Sequence, residues 1–153
     1  MECNFQHFSF AKTPEILFGQ GRINELTKLD IIKNSKNILL VTGASFKNSV
    51  HFDNLIKNFN TMAINVHKIS SSGEPSPDSV DNISLKYREA GIDAVVSIGG
   101  GSVLDLGKAV SAMLLKKQSV MAYIEGVGDG GIHDGIKVPF IAVPTTAGTG
   151  SET

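Results

Sequence analysis

The sequence predicts an α/β fold: one parallel sheet flanked by helices, preceded by a β-hairpin. Three observations predict it. Apolar periodicity switches repeatedly between the strand and helix patterns along the 153 residues. The strand-like runs, such as Ile38–Thr42 (ILLVT) and Val95–Ile98, are uninterrupted and β-branched, as strands covered on both faces are. Glycine, serine and proline cluster where those runs end, at Gly43, Ser72–Pro77, Gly99–Ser102 and Pro144–Thr149.

Each element follows in order. Phe5, Phe8 and Phe10 lead to a turn at Thr13-Pro14-Glu15, then Ile16-Leu17-Phe18 and Gly19-Gln20-Gly21, which predicts the hairpin. A short helix is expected around Ile23–Leu29, and then the buried strand Ile38–Thr42. Phe52, Leu55, Ile56 and Phe59 recur at helical spacing, and Met62–Ile69 reads as the next strand. Ser76-Pro77-Asp78 is an N-cap with proline at the first helical position. Val80, Ile83 and Tyr87 then share a face, and Gly91 closes the helix. A strand at Val95, a helix over Val103–Leu115 with Ser102 as its N-cap, and a strand over Val138–Val143 complete the alternation. The glycine-rich stretch within Lys116–Lys137 is expected to be a mobile surface loop or lid.

Composition narrows the function. Hydrophobic residues make up 41% and charged residues 19%, an ordinary globular balance, and the formal net charge is −1. That charge offers no electrostatic basis for binding nucleic acid or an anionic membrane. The single cysteine, Cys3, cannot form an internal disulfide, which fits a reducing compartment. No apolar run approaches the roughly 20 residues of a membrane span. The first ten residues lack the basic and apolar regions of a signal peptide, so a soluble cytoplasmic protein is expected.

The chemistry concentrates in two segments. In Ala94–Ser111 (AVVSIGGGSVLDLGKAVS) a strand runs into Gly99, Gly100 and Gly101, then Ser102, then a helix carrying Asp105 and Lys108. Glycines let backbone approach an anion closely, and free N–H groups at the positive end of a helix point at it. The bland alternative is a merely tight turn, and the stretch is not the G-x-G-x-x-G fingerprint. Asp105 and Lys108, three apart, read either as an exposed ion pair or as groups reaching a nucleotide. Pro139–Thr153 (PFIAVPTTAGTGSET) repeats the idea, with Thr145 and Thr146 as ordinary strand-end residues or as a rigid ligand-contacting turn. In a Rossmann-like parallel sheet such loops meet beyond the carboxyl ends of the strands, in a dinucleotide crevice. His7, His51, His67 and His133 show no metal-ligand spacing. His133 is expected to face solvent, and no nucleophile triad is visible.

GGGSVLDLGK at Gly99–Lys108 with PTTAGTGSE at Pro144–Glu152 resembles the iron-containing (group III) alcohol dehydrogenase family. ILFGQG at Ile16–Gly21, SGEPSP at Ser72–Pro77 and YIEG at Tyr123–Gly126 fit it too. The resemblance implies a two-domain enzyme: an α/β half binding NAD(P), and a helical half holding a divalent metal, iron in the family's name, through one Asp and three His. It carries pyrophosphate contacts onto Gly100, Gly101 and Ser102 beside Gly99. Nicotinamide-side and ribose contacts fall on Asp105, Thr145, Thr146 and Thr149, with Lys108 in reach. Gly43 becomes the adenine-ribose selector, with Ser45 behind it and Pro75 nearby. With no acid at Gly43 to repel a 2′-phosphate, NADP is favoured over NAD.

Residues 1–153 are accordingly expected to form the dinucleotide-binding domain, with the family's helical metal-binding domain absent and no metal ligand in this chain. By themselves they are expected to lack dehydrogenase activity. The expected substrate is a small alcohol or aldehyde, and the expected assembly a homodimer. A maleylacetate reductase, a polyol dehydrogenase, a hydroxyacid–oxoacid transhydrogenase or a stand-alone nucleotide-binding module would carry the same half.

Overall fold

Residues 14–153, apart from 72, 129 and 149, are described by a computed structural model. Four strands form one sheet in the order β2-β1-β3-β4, every neighbouring pair parallel. They are β1 (Asn37–Gly43), β2 (Asn65–Ser71), β3 (Ala94–Gly99) and β4 (Phe140–Pro144). Ile38 to Thr42 of β1 and all six residues of β3 are buried, so the two central strands have no wet face. That is why both read as unbroken apolar runs.

Alternate side chains of the central strands feed two cores. Ile38, Leu40, Val96 and Ile98 point to one face, where Leu55 and Phe59 of α3 (Val50–Thr61) cover them with Leu26 and Ile32. Leu26 lies in a 3₁₀ helix, Arg22–Lys28, and Ile32 in the one-turn helix α1 (Asp30–Lys33). Leu39, Val41 and Val95 point to the other face, packed by Val80 of α4 (Pro77–Tyr87) and by Val103, Leu106 and Val110 of α5 (Gly101–Met113). The one-turn helix α2 (Ala44–Lys47) follows β1 directly. Asp93 ties the amino ends of β1 and β3, its Oδ2 accepting from the N–H groups of Lys36 (2.7 Å) and Asn37 (2.9 Å).

Local signals explain several boundaries. Ser76 caps α4 with a reciprocal box: its Oγ accepts from Ser79 N–H (3.2 Å), and Ser79 Oγ accepts from Ser76 N–H (3.0 Å). Pro77 stands at the first helical position, as expected. α4 ends at Tyr87, and Gly91 takes the left-handed conformation (φ +61°) in the turn behind it. Three boundaries differ from expectation. α3 runs on through Thr61, and β2 starts at Asn65 rather than Met62, because Ala63 makes the left-handed turn (φ +57°) without a glycine to announce it. β4 starts at Phe140, two residues after Val138 has already bonded to Ser111 O. The third concerns the cap of α5 and is taken up below.

The hairpin's first arm, with Phe5, Phe8 and Phe10, lies outside the described residues. Among the described residues no strand forms at 16–18, where Ile16 and Phe18 are exposed.

The stretch 116–137 is a strap bonded to the helices. Ser119 Oγ (2.5 Å) and Val120 N–H (2.8 Å) donate to Asp81 of α4. Lys116 Nζ, on a largely buried side chain, pairs with Asp134. His133 is only partly exposed: its ring packs edge-on against Tyr123, Nε2 donates to Ala112 O (3.1 Å) and Nδ1 accepts from Gly135 N–H (2.9 Å). The stretch expected as a mobile surface loop or lid is thus a largely exposed surface segment bonded to α4 and α5, and the expectation of a solvent-facing His133 is corrected. The strap's anchor at Ala112 is at the far end of α5 from its glycine-rich start. Two of its glycines have a packing reason, since a Cβ at Gly128 would fall 2.1 Å from Met121 O and one at Gly131 2.8 Å from Ala122 O.

Candidate functional site

The topology puts the candidate residues on one edge. β1 leaves toward β2 and β3 leaves toward β4, so the chain diverges between the adjacent carboxyl ends of β1 and β3. In open α/β sheets that switch point is where ligands bind. Register aligns Gly43 with Ser71 on one side, and Gly99 with Pro144 on the other. The loops containing Gly43, Pro75, Gly99–Ser102 and Pro144–Thr149 thus all leave from the same edge.

The centre of this edge is the handover from β3 to α5. Gly100, not Ser102, is the N-cap; α5 begins at Gly101, and Ser102 lies within its first turn. At Gly99 glycine is required because a side chain there has no room. A Cβ at Gly99 would stand 2.7 Å from Val103, the residue that seats α5 against the strand end. A Cβ at Gly100 would reach 3.4 Å from Thr146 Oγ1, inside the gap between the two glycine-rich turns. The first turn of α5 contains no acidic residue. Its leading N–H groups and the positive helix end are thus free of a local carboxylate, a suitable arrangement for an anion.

The second turn leans on the first. Thr145 N–H donates to Gly99 O (2.9 Å), continuing the β3–β4 pairing beyond the strands. Thr145 and Thr146 are exposed beside the Gly99–Ser102 loop, whereas Thr149 lies outside the described residues. Asp105 and Lys108 do not pair with each other. Asp105 Oδ2 accepts from Ser151 Oγ (3.2 Å), and Lys108 Nζ donates to Thr153 O (2.5 Å). Sequence reasoning missed Ser151 and Thr153; the signal available was the run of hydroxyls after Gly150, facing two polar positions of α5.

On the β1 side, Gly43 is in extended backbone (φ −78°, ψ 161°) and half-buried. A Cβ there would meet only Val103 Cγ2, at an ordinary 3.5 Å, so no steric rule demands glycine. Ser45 and Lys47 on α2 are exposed, and Pro75 is half-buried in the loop after β2, next to the exposed Glu74.

Two fits can be tested on these residues. A dinucleotide fits: the space that a side chain at Gly100 would fill lies between a helix N-terminus and a threonine hydroxyl. A divalent metal does not, because among the described residues no three His, Cys, Asp or Glu side chains gather to hold one. Also among the described residues, no helix is long and apolar enough to cross a membrane.

The fold and this edge define a class: a parallel α/β domain with a glycine-rich strand-to-helix turn at its switch point. A family model described as iron-containing alcohol dehydrogenase matches residues 13–153. The chain belongs to the iron-containing alcohol dehydrogenase family. It is 33% identical over 110 residues to a probable NADH-dependent butanol dehydrogenase 1 of Bacillus subtilis, covering 70% of this chain and 28% of that protein. It is 31% identical over 149 residues to the NAD-dependent methanol dehydrogenase of Bacillus methanolicus, covering 95% of this chain and 37% of that one. Among solved structures, it is similar to a sulfoacetaldehyde reductase from Bifidobacterium kashiwanohense in complex with NAD+. The TM-score is 0.80 at 31% identity, covering 96% of this chain and 38% of the other. The chain thus spans well under half the length of these relatives.

Proposed function

We propose that residues 1–153 act as the dinucleotide-binding domain of a nicotinamide-dependent oxidoreductase that interconverts a small alcohol and its aldehyde. The observation that carries the reading is the meeting of two glycine-rich turns over the N-terminus of α5, at the switch point of the sheet. The names of the relatives support it, since they are NAD- or NADH-dependent dehydrogenases of alcohols. Gly100, Gly101 and Ser102, with Gly99 behind them, would hold the pyrophosphate through main-chain N–H groups. Thr145, Thr146 and Thr149 would face the nicotinamide half, and Gly43, Ser45 and Pro75 the adenosine half. The bound dinucleotide supplies or accepts the hydride; the chain's own residues bind it, orient it and keep the turn that carries it closed. No step is assigned to a metal.

The finer reading is a preference for NADPH over NADH. Its support is that Gly43 presents no carboxylate at the end of β1, while Ser45 and Lys47 are exposed just beyond it. Exposed Ile16 and Phe18 support a homodimer, for which sedimentation at micromolar concentration is the test. Calorimetric titration with NADPH and NADH tests the cofactor reading. Tighter NADPH binding supports it, and tighter NADH binding overturns the preference while leaving the dinucleotide domain standing.

A further inference from the structure

We infer that Ser97 and Gly107 are a matched pair that seats α5 on β3. Ser97 is thereby a positioning residue for the helix N-terminus at the dinucleotide crevice, an inference that rests on the dinucleotide reading and deepens it.

α5 meets β3 along one line of contact. Gly99 and Ser97, two apart on the strand, belong to the same face. Val103 and Gly107, four apart, share one side of the helix. A Cβ at Gly99 would stand 2.7 Å from Val103, so at this point the strand is bare and the helix supplies the side chain. One helical turn further the roles reverse. A Cβ at Gly107 would stand 1.7 Å from Ser97 Oγ, and 3.1 Å from both Ser97 Cβ and Phe140 Cε2. The serine hydroxyl therefore occupies the place that a helix side chain would take, and the Phe140 ring closes the notch. Both residues are buried, Ser97 completely.

The hydroxyl is not there for its polarity. Among the described residues Ser97 Oγ has no hydrogen-bond partner, an unfavourable state for a buried polar atom. What the side chain contributes is volume, filling the notch that Gly107 leaves in a close-packed core. Because Ser97 is completely buried, its hydroxyl cannot swing into solvent to admit a methyl at Gly107, and the helix is what must give. The two contacts together fix the height and tilt of α5. The helix begins at Gly101, just beyond Gly99, and its leading N–H groups are those offered to the pyrophosphate. A binding site built on such groups has to be held within about 0.5 Å of its working geometry.

The test compares the wild type, Gly107→Ala, Ser97→Ala, the Ser97→Ala/Gly107→Ala double variant and Ser97→Cys. Urea denaturation reads the packing, and titration with NADPH, on protein shown to be folded by circular dichroism, reads the position of the helix. The pair predicts a lower urea midpoint for Gly107→Ala and NADPH binding weakened about tenfold, the scale of one lost hydrogen bond to a charged group. Removing the obstructing oxygen should relieve both effects. The double variant should recover most of the midpoint and bind NADPH within about threefold of wild type, the non-additivity expected of residues in contact. Ser97→Cys presses a larger atom on the same spot from the strand side, and it should weaken NADPH binding with the helix sequence untouched.

A double variant no better than Gly107→Ala in either measurement overturns the pair. A lowered midpoint with wild-type NADPH affinity, in both Gly107→Ala and Ser97→Cys, overturns the positioning role and leaves a packing contact. If Gly107→Ala does not fold, recovery of folding in the double variant supports the pair, and Ser97→Cys decides the positioning role. A wild type that binds no dinucleotide overturns the positioning role and the dinucleotide reading together, while the urea series still decides the pair.

Discussion

Replacing Gly43 with aspartate should reverse the cofactor preference, and the structure allows the size to be bracketed. The backbone at Gly43 is extended, and a Cβ would make one ordinary 3.5 Å contact, with Val103 Cγ2, so the variant should fold unchanged. An added carboxylate about 4 Å from one unit of 2′-phosphate charge costs about 4 kcal/mol at an effective dielectric near 20, and about 1 kcal/mol in bulk water. Gly43 is half-buried, with exposed Ala44 and Ser45 after it, so the site lies between those limits. The NADPH-to-NADH affinity ratio should therefore fall by roughly 5-fold to 1000-fold, and by less as salt rises. Calorimetry with both cofactors on the wild type, Gly43→Asp and Gly43→Asn reads it. The asparagine variant has the same shape without the charge and should leave the ratio within about threefold of wild type, well under one tenfold step. An unchanged ratio in Gly43→Asp, or an equal shift in Gly43→Asn, would refute the reasoning.

Gly100→Val should abolish dinucleotide binding while leaving the circular dichroism spectrum intact, because its side chain would enter the gap beside Thr146; unchanged affinity in the folded variant would remove Gly100 from the site. Gly107→Ala should lower stability by about 1–3 kcal/mol in urea denaturation, since the new methyl would fall 1.7 Å from Ser97 Oγ and 3.1 Å from Phe140 in a close-packed core. A stabilised Gly107→Ala, the outcome that helix propensity alone predicts, would show that α5 does not lie this close to β3. The strap should respond to acid. The Lys116 ammonium, followed by Ile136 N–H, holds the Asp134 carboxyl below the usual carboxylate range, so its contribution is present at neutral pH and fades as pH falls through that lowered value. Acidification slows intrinsic amide exchange, so the readout is protection relative to that intrinsic rate: protection in 116–137 should fall as pH drops, and Asp134→Asn should show the loosened strap already at pH 7. A strap equally protected in both proteins would remove the role of the pair.

The sheet was legible in the sequence because its two central strands are buried on both faces, and burial wrote itself as ILLVT and AVVSIG. α4 was legible because Ser76 and Pro77 are a cap with a mechanism. Boundaries failed where a turn lacked its usual residue, as at Ala63, or where backbone bonding overrode pattern, as when Gly100 took the cap expected of Ser102. The strap failed for a different reason. Its glycines look like freedom in one dimension, but Gly128 and Gly131 are small because the chain passes against Met121 O and Ala122 O, and the bonds to Asp81 and Ala112 span long stretches of sequence. In the site, periodicity located the loops but could not assign partners. Asp105 and Lys108 were spaced to pair with each other, and only the fold brings Ser151 and Thr153 close enough to take them instead.

The most direct test of the central claim is a titration of the purified 153-residue chain with NADPH and NADH, followed by calorimetry and by the fluorescence of the reduced nicotinamide. The two turns at the head of α5 predict saturable binding at one site per chain, tighter for NADPH. No saturable binding of either dinucleotide by a folded chain would contradict the account.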